Sequence, residues 1–260
     1  MGILNVTPDS FSDGGVFFTQ GRAIERAFQM WEEGADIIDV GGESTRPGAE
    51  EVSQDEELKR VLPVIQALTK DGIPVSIDTY KPSIAKVALG EGAEVLNDVT
   101  GLRDPEMIEV LLGCDASVCI MHMQGNPRTM QERPRYKNVL VDVREYLIHA
   151  AFLAEDKGVA RERIWIDPGI GFGKTVAHNL TILRNIDHFV HTGYPVLLGV
   201  SRKSFIGKVL GEKDDPLPVE DRLEGTLAIQ AMAQLKGVRI IRAHDVVEAR
   251  RVIDMHALVS

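Results

Sequence analysis

The chain has 260 residues, 44% hydrophobic and 26% charged, which is enough apolar content for a substantial core in a soluble protein. Its net charge of −10 argues against a nucleic-acid or anionic-membrane surface, so an anionic ligand would have to be held by a local cluster of cations. The two cysteines, Cys114 and Cys119, are too few for a disulfide framework or a zinc set, and they point to a reducing cytoplasm.

Strand-like and helix-like segments alternate along the chain, the pattern of βαβ units in a parallel sheet. The apolar run Gly2–Asn5 ends on Asn5, and a helical pattern over 22–33 leads to the run 37–39, closed by Asp39. The helical pattern 55–70 leads to Val75–Asp78, and 83–90 leads to 95–97, closed by Asn97. Residues 105–112 precede Ser117–Met121, and 139–157 precede Ile164–Asp167. The pattern 179–190 leads to 196–201, closed by Ser201, and 219–236 leads to 238–242, closed by Arg242, before a last helical pattern at 246–255.

A strand buried on both faces reads as a continuous apolar run, so its first polar residue marks where it leaves the core. Eight such strands and eight helices predict an α/β fold, a single (β/α)8 TIM barrel spanning residues 1–260 as one domain. The active site is then expected at the C-terminal ends of the strands. Loop lengths agree: the strand-to-helix segments 6–20, 41–54, 123–137 and 203–218 are long, whereas the helix-to-strand connections 71–74 and 113–116 are short.

The N-terminus lacks a basic region and a long apolar stretch, so no signal peptide is expected. Val6 stands where a myristoylation signal needs Ser or Thr, and no run approaches the ~18 apolar residues of a membrane helix.

The segment from Asp167 to Thr175 resembles a phosphate loop, but the residue five before Gly173 is Pro168 and the match fails by one position. Its glycines instead permit close backbone approach to a flat ligand. Asp78, Asn97 and Asp167 close three strands. Each alone is as well explained by capping or turn formation, but together they can present acceptors and an amide to the edge of a 2-amino-4-oxopyrimidine. Arg46, Lys203, Arg242 and His244 follow strand ends, and alternate residues of an extended segment put Arg242 and His244 on one face, suited to phosphate. Lys203 reads as a donor and cation, with a Schiff-base lysine as the alternative. The histidines show no zinc spacing, while a hard cation held by phosphates would need only one or two protein oxygens, of which Asn5 can be one.

Six segments, in order, resemble the dihydropteroate synthase family. They are Asn5-Val-Thr-Pro-Asp-Ser-Phe-Ser-Asp-Gly-Gly15, Asp39-Val-Gly-Gly-Glu-Ser-Thr-Arg-Pro-Gly48, Ser76-Ile-Asp-Thr79, Asp167-Pro-Gly-Ile-Gly-Phe-Gly-Lys174, Ser201-Arg-Lys-Ser-Phe-Ile-Gly207 and Arg242-Ala-His-Asp245. The resemblance implies a TIM barrel that condenses 6-hydroxymethyl-7,8-dihydropterin diphosphate with p-aminobenzoate, with Mg2+ as cofactor and a homodimer as the assembly. It further implies that Asp78, Asn97, Asp167 and Lys203 hold the pterin and that Asn5 ligates Mg2+. Thr45, Arg46, Arg242 and His244 would hold the diphosphate. Ser201, Phe172 and the loops around Asp9, Phe11 and Thr45–Pro47 would enclose p-aminobenzoate. Within that set, Asp78, Asp167, Lys203, Arg242 and His244 would carry the catalysis. Asp39 receives no role. Two other readings compete: a pterin-binding methyltransferase, which has no need of a diphosphate grip, and a non-catalytic pterin-binding paralogue, which would be expected to have lost Asn5 or the loops.

Overall fold

The computed structural model describes residues 1–7, 16–44, 51–126 and 129–259, with backbone alone for 16–19. Eight parallel strands alternate with helices: β1 Gly2–Asn5, α1 Val16–Glu32, β2 Ile38–Gly41, α2 Gln54–Lys70, β3 Val75–Asp78, α3 Pro82–Gly90, β4 Val95–Asp98, α4 Glu106–Leu112, β5 Ser117–Met121 and α5 Val139–Lys157. Then follow β6 Ile164–Asp167, α6 Val176–Arg184, α7 Asp187–Val190, β7 Leu197–Gly199, α8 Ser204–Leu210, α9 Leu223–Leu235, β8 Ile240–Arg242 and α10 Val246–Val259. Strands β1 to β6 pair in sequence order, and β7 pairs with β8. Isolated parallel bridges, Ile166 with Val196 and Gly2 with Ala243, join the two sheets at both seams, so the strands make a ring. At the second seam Ile3 N–H donates to Ala243 O at 2.9 Å and Ala243 N–H to Met1 O at 3.0 Å.

The strands are short and their residues are almost all buried, because the helices cover one face and the barrel interior the other. Val61, Val64, Ile65 and Leu68 form the inward stripe of α2, and Val143, Leu147, Ala151 and Ala154 that of α5. The register decides what reaches the rim. Asn5 pairs with Gly41, Gly41 with Asp78 and Asp78 with Asn97, so three of the strand-closing residues stand in one row.

Pro63 lies inside α2, where it cannot donate to the carbonyl of Lys59. Gln20 of α1 supplies the missing donor, its Nε2 reaching that carbonyl at 2.9 Å, so the helix continues through the proline. The helix expected over 179–190 is divided instead. Asn185 turns its side-chain amide onto Thr181 O at 2.8 Å, competing with the backbone, and the chain restarts as α7. The connection read as 203–218 contains α8, and the pattern expected from 219 begins with a short 3-10 turn before α9.

Candidate active site

The residues predicted from strand ends meet on one rim. Asp78 is the last residue of β3 and Arg242 the last of β8, and the Arg242 Nη2 donates to Asp78 Oδ2 at 2.8 Å. Arg242 Nε donates to Asp39 Oδ2 at 2.6 Å, and Asn97 Nδ2 reaches the same oxygen at 3.1 Å. Asp39 is fully buried. Its carboxylate therefore orients both the guanidinium of β8 and the amide of β4, and by taking the NH2 of Asn97 it leaves the amide oxygen for another partner.

Burial pushes the Asp78 carboxyl up to about 7, with Arg242 opposing and Asp39 adding to the rise. Burial also works against the charge of Arg242, but Asp39 and Asp78 outweigh it and hold the guanidinium above its ordinary range. Asp167, closing β6, accepts the Gly169 N–H at 2.7 Å; burial raises its carboxyl, and Lys203 opposes. The Lys203 ammonium lies 4.5 Å from the Phe172 ring centroid and donates to Ile170 O. Burial pulls it down to about 8 while Asp167 holds it up. Lys203, Phe172 and Asp167 thus form one wall.

Arg202, between Ser201 and Lys203, points elsewhere. It adopts a left-handed backbone with φ 51°, and its guanidinium pairs with Asp245 at 2.7 Å and with the carbonyls of Val219 and Glu220. That turn separates adjacent cations, sending Lys203 inward and Arg202 to a structural clamp. Ser201, expected beside p-aminobenzoate, has its hydroxyl on His244, 3.0 Å from Nδ1 and 3.2 Å from the backbone N–H. It positions the histidine of the expected diphosphate grip.

Asn5 stands half-buried at the end of β1. Among the described residues no group of three His, Cys, Asp or Glu side chains could hold a metal. The amide oxygen of Asn5 is of the kind that would fit a hard cation held largely by substrate phosphates. Asp9, Phe11, Thr45, Arg46 and Pro47 lie outside the described residues.

Sequence reasoning assigned nothing to Asp39, Lys174 or His122. The strand end expected at Asp39 is not found: β2 runs on to Gly41 with Asp39 as its second residue, and the partners of its buried carboxylate come from β4 and β8. Lys174 was visible only as the lysine of a failed phosphate loop and the end of one family segment. A second unassigned cluster sits beside α2: Lys81 Nζ contacts Glu43 and Glu57, each at 2.6 Å, and Thr79 donates to Glu57 at 2.8 Å.

Known proteins resemble this chain over nearly its whole length. A family model described as pterin binding enzyme matches residues 1–244. The dihydropteroate synthase of Escherichia coli K12 is 46% identical over 258 residues, covering 98% of this chain and 90% of its own. A crystal structure of the Clostridium difficile dihydropteroate synthase in the presence of pteroic acid superposes with a TM-score of 0.92 at 46% identity, covering 100% of this chain and 95% of that one. The Burkholderia cenocepacia enzyme complexed with 7,8-dihydropteroate gives a TM-score of 0.89 at 41% identity, over 100% and 90% of the two chains. The chain belongs to the pterin binding enzymes and, within them, to the dihydropteroate synthases.

Proposed function

We propose that the protein joins 6-hydroxymethyl-7,8-dihydropterin diphosphate to p-aminobenzoate, giving 7,8-dihydropteroate and pyrophosphate, with residues 1–260 acting as one domain. The observation that carries the reading is the sharing of one rim by acceptors and cations of complementary purpose. Asp78 and Asp167 are carboxylates at strand ends, Asn97 offers an amide oxygen, and Lys203 supplies a donor. That is the set a 2-amino-4-oxopyrimidine edge requires.

Arg242 and His244 grip the diphosphate, and Thr45 and Arg46 complete the grip. The bond from the pterin methylene to the diphosphate oxygen breaks with its electron pair leaving on oxygen. Cations fixed before the reaction stabilise the charge that develops there. Bound with the substrate phosphates and held by Asn5, Mg2+ would supply further neutralisation of the leaving group. The methylene carbon becomes cationic and delocalises into the ring, which the Asp78 carboxylate stabilises. The lone pair of the aromatic amine then forms the new carbon–nitrogen bond, and the amine proton is released. A neutral amine is nucleophile enough that no strong base is needed. Phe172, Ser201, Asp9, Phe11 and Pro47 enclose it and keep water from the cation.

The decisive test is pyrophosphate release from the pterin diphosphate with Mg2+, measured with and without p-aminobenzoate. Release that is amine-dependent and matched by dihydropteroate supports the reading, and its absence defeats it. We further place the protein in the cytoplasm, since both cysteines are free thiols; among the described residues, no helix is long and apolar enough to cross a membrane. A homodimer through the late helices fits the exposed Val209, Leu210, Leu235 and Leu258 of α8, α9 and α10.

A further inference from the structure

Residues 169–173 carry three glycines in left-handed conformation, Gly169 at φ 67°, Gly171 at φ 83° and Gly173 at φ 59°. Such a segment has little intrinsic preference for one path and loses much entropy when ordered. Its four consecutive carbonyls are instead held by side chains. Lys203 Nζ donates to Ile170 O, and Gln131 Nε2 to Gly171 O at 2.5 Å. Lys174 Nζ bonds Phe172 O at 3.0 Å, and Tyr136 OH donates to Gly173 O at 2.7 Å.

Lys174 is the unusual member, because its side chain is buried at 3% exposure and its nitrogen is fully engaged. Besides Phe172 O it contacts His122 O at 3.2 Å and His122 Nδ1 at 2.9 Å. His122 is itself buried, and its ring packs edge-on against Tyr146 with centroids 5.0 Å apart. Burial draws Lys174 well below its ordinary range, with Asp167 opposing, and burial together with Lys174 pushes His122 down to about 3. A buried amine is costly, and an apolar side chain of similar length would avoid that cost. Its presence beneath this loop therefore calls for a reason other than stability. The Phe172 ring, the side chain of the residue whose carbonyl Lys174 bonds, lies against Lys203 and the cluster of Val99, Met121, Met123 and Met130.

We propose that Lys174, with His122 as its partner, is a positioning residue that fixes the backbone of Phe172 and so sets the ring that faces the aromatic amine. The proposal rests on the reading above that Phe172 lines the p-aminobenzoate subsite.

The test is steady-state kinetics of Lys174→Met, His122→Leu and the double variant, with thermal unfolding of each. Lys174→Met is expected to raise the KM for p-aminobenzoate roughly tenfold, the equivalent of about one lost hydrogen bond. The KM for the pterin diphosphate should move less than about twofold. His122→Leu should raise the same KM by a smaller factor, and the double variant should be no worse than Lys174→Met, because the two side chains act as a unit. An unchanged amine KM in a folded Lys174→Met protein overturns the proposal. So does a parallel loss in both KM values and kcat, or additive effects in the double variant. Should Lys174→Met fail to melt cooperatively, His122→Leu decides by the same split between the two substrates. A wild-type protein without amine-dependent pyrophosphate release would instead defeat the functional reading itself, before any variant is compared.

Discussion

Asp39 and Arg242, 203 residues apart in the chain, form a 2.6 Å ion pair in which the carboxylate is wholly buried and the guanidinium still reaches the rim. The same oxygen of Asp39 takes the Asn97 amide. One carboxylate thus aligns the cation proposed to grip phosphate and the amide proposed to face the pterin. Replacing Asp39 with Ala is expected to lower kcat/KM for the pterin diphosphate by roughly 10–100-fold, the usual cost of removing a group that orients ligands. Circular dichroism should show the fold retained. A loss under about threefold would leave Asp39 with a packing role alone.

On the proposed function, Arg242 stabilises the departing diphosphate. Arg242→Met should cost on the order of 10²–10³ in rate, by analogy with removing one preorganised donor. Single-turnover pyrophosphate release measures this directly. A rate within about threefold of wild type is incompatible with the role assigned.

The pH profile follows from two buried groups. Burial raises Asp78 to about 7 and lowers Lys203 to about 8. If Asp78 and Lys203 hold the pterin as proposed, recognition needs the carboxylate and the ammonium, so kcat/KM should climb as pH rises through about 7 and fall beyond about 8. In Lys203→Met the remaining activity should lose its alkaline limb; persistence of that limb would assign it to another group. The stability effects have fixed signs. Between 3.8 and about 7 the folded state holds an Asp78 proton that the unfolded chain has released, so this term weakens stability as pH rises. Between about 8 and 10.5 the unfolded chain holds the extra proton on Lys203, and stability rises with pH there.

Lys81 is held between Glu43 and Glu57, with side-chain exposures of 9%, 10% and 1%. Removing the cation leaves two buried carboxylates facing each other. Lys81→Met should lower the unfolding free energy by about 3–5 kcal/mol, read from urea unfolding. A change below about 1 kcal/mol would mean that water or rearrangement meets the carboxylates instead.

Much of this was legible in residue order. Buried parallel strands must be apolar on both faces, so the polar residue ending a run was expected at the rim, and Asp78, Asn97, Asp167 and Arg242 are found there, whereas Asp39 lies two residues before the end of β2. Helix boundaries were less legible where side chains intervene from elsewhere. The helix expected over 55–70 is found as α2 despite Pro63, but the one expected over 179–190 breaks where Asn185 ends α6.

What the sequence determined by itself was therefore the set of side chains available at the rim, because burial and strand length select where polar residues can stand. Only the tertiary structure decided how they are paired. Asp39 meets Arg242 and Asn97 because the ring of strands closes with a particular register, bringing donors from β8 and β4 to the same oxygen of one carboxylate. Ser201 serves His244, and Lys174 meets His122, for the same reason. Hydrogen bonds act over about 3 Å, and no spacing along a chain specifies which distant residues will come within that reach.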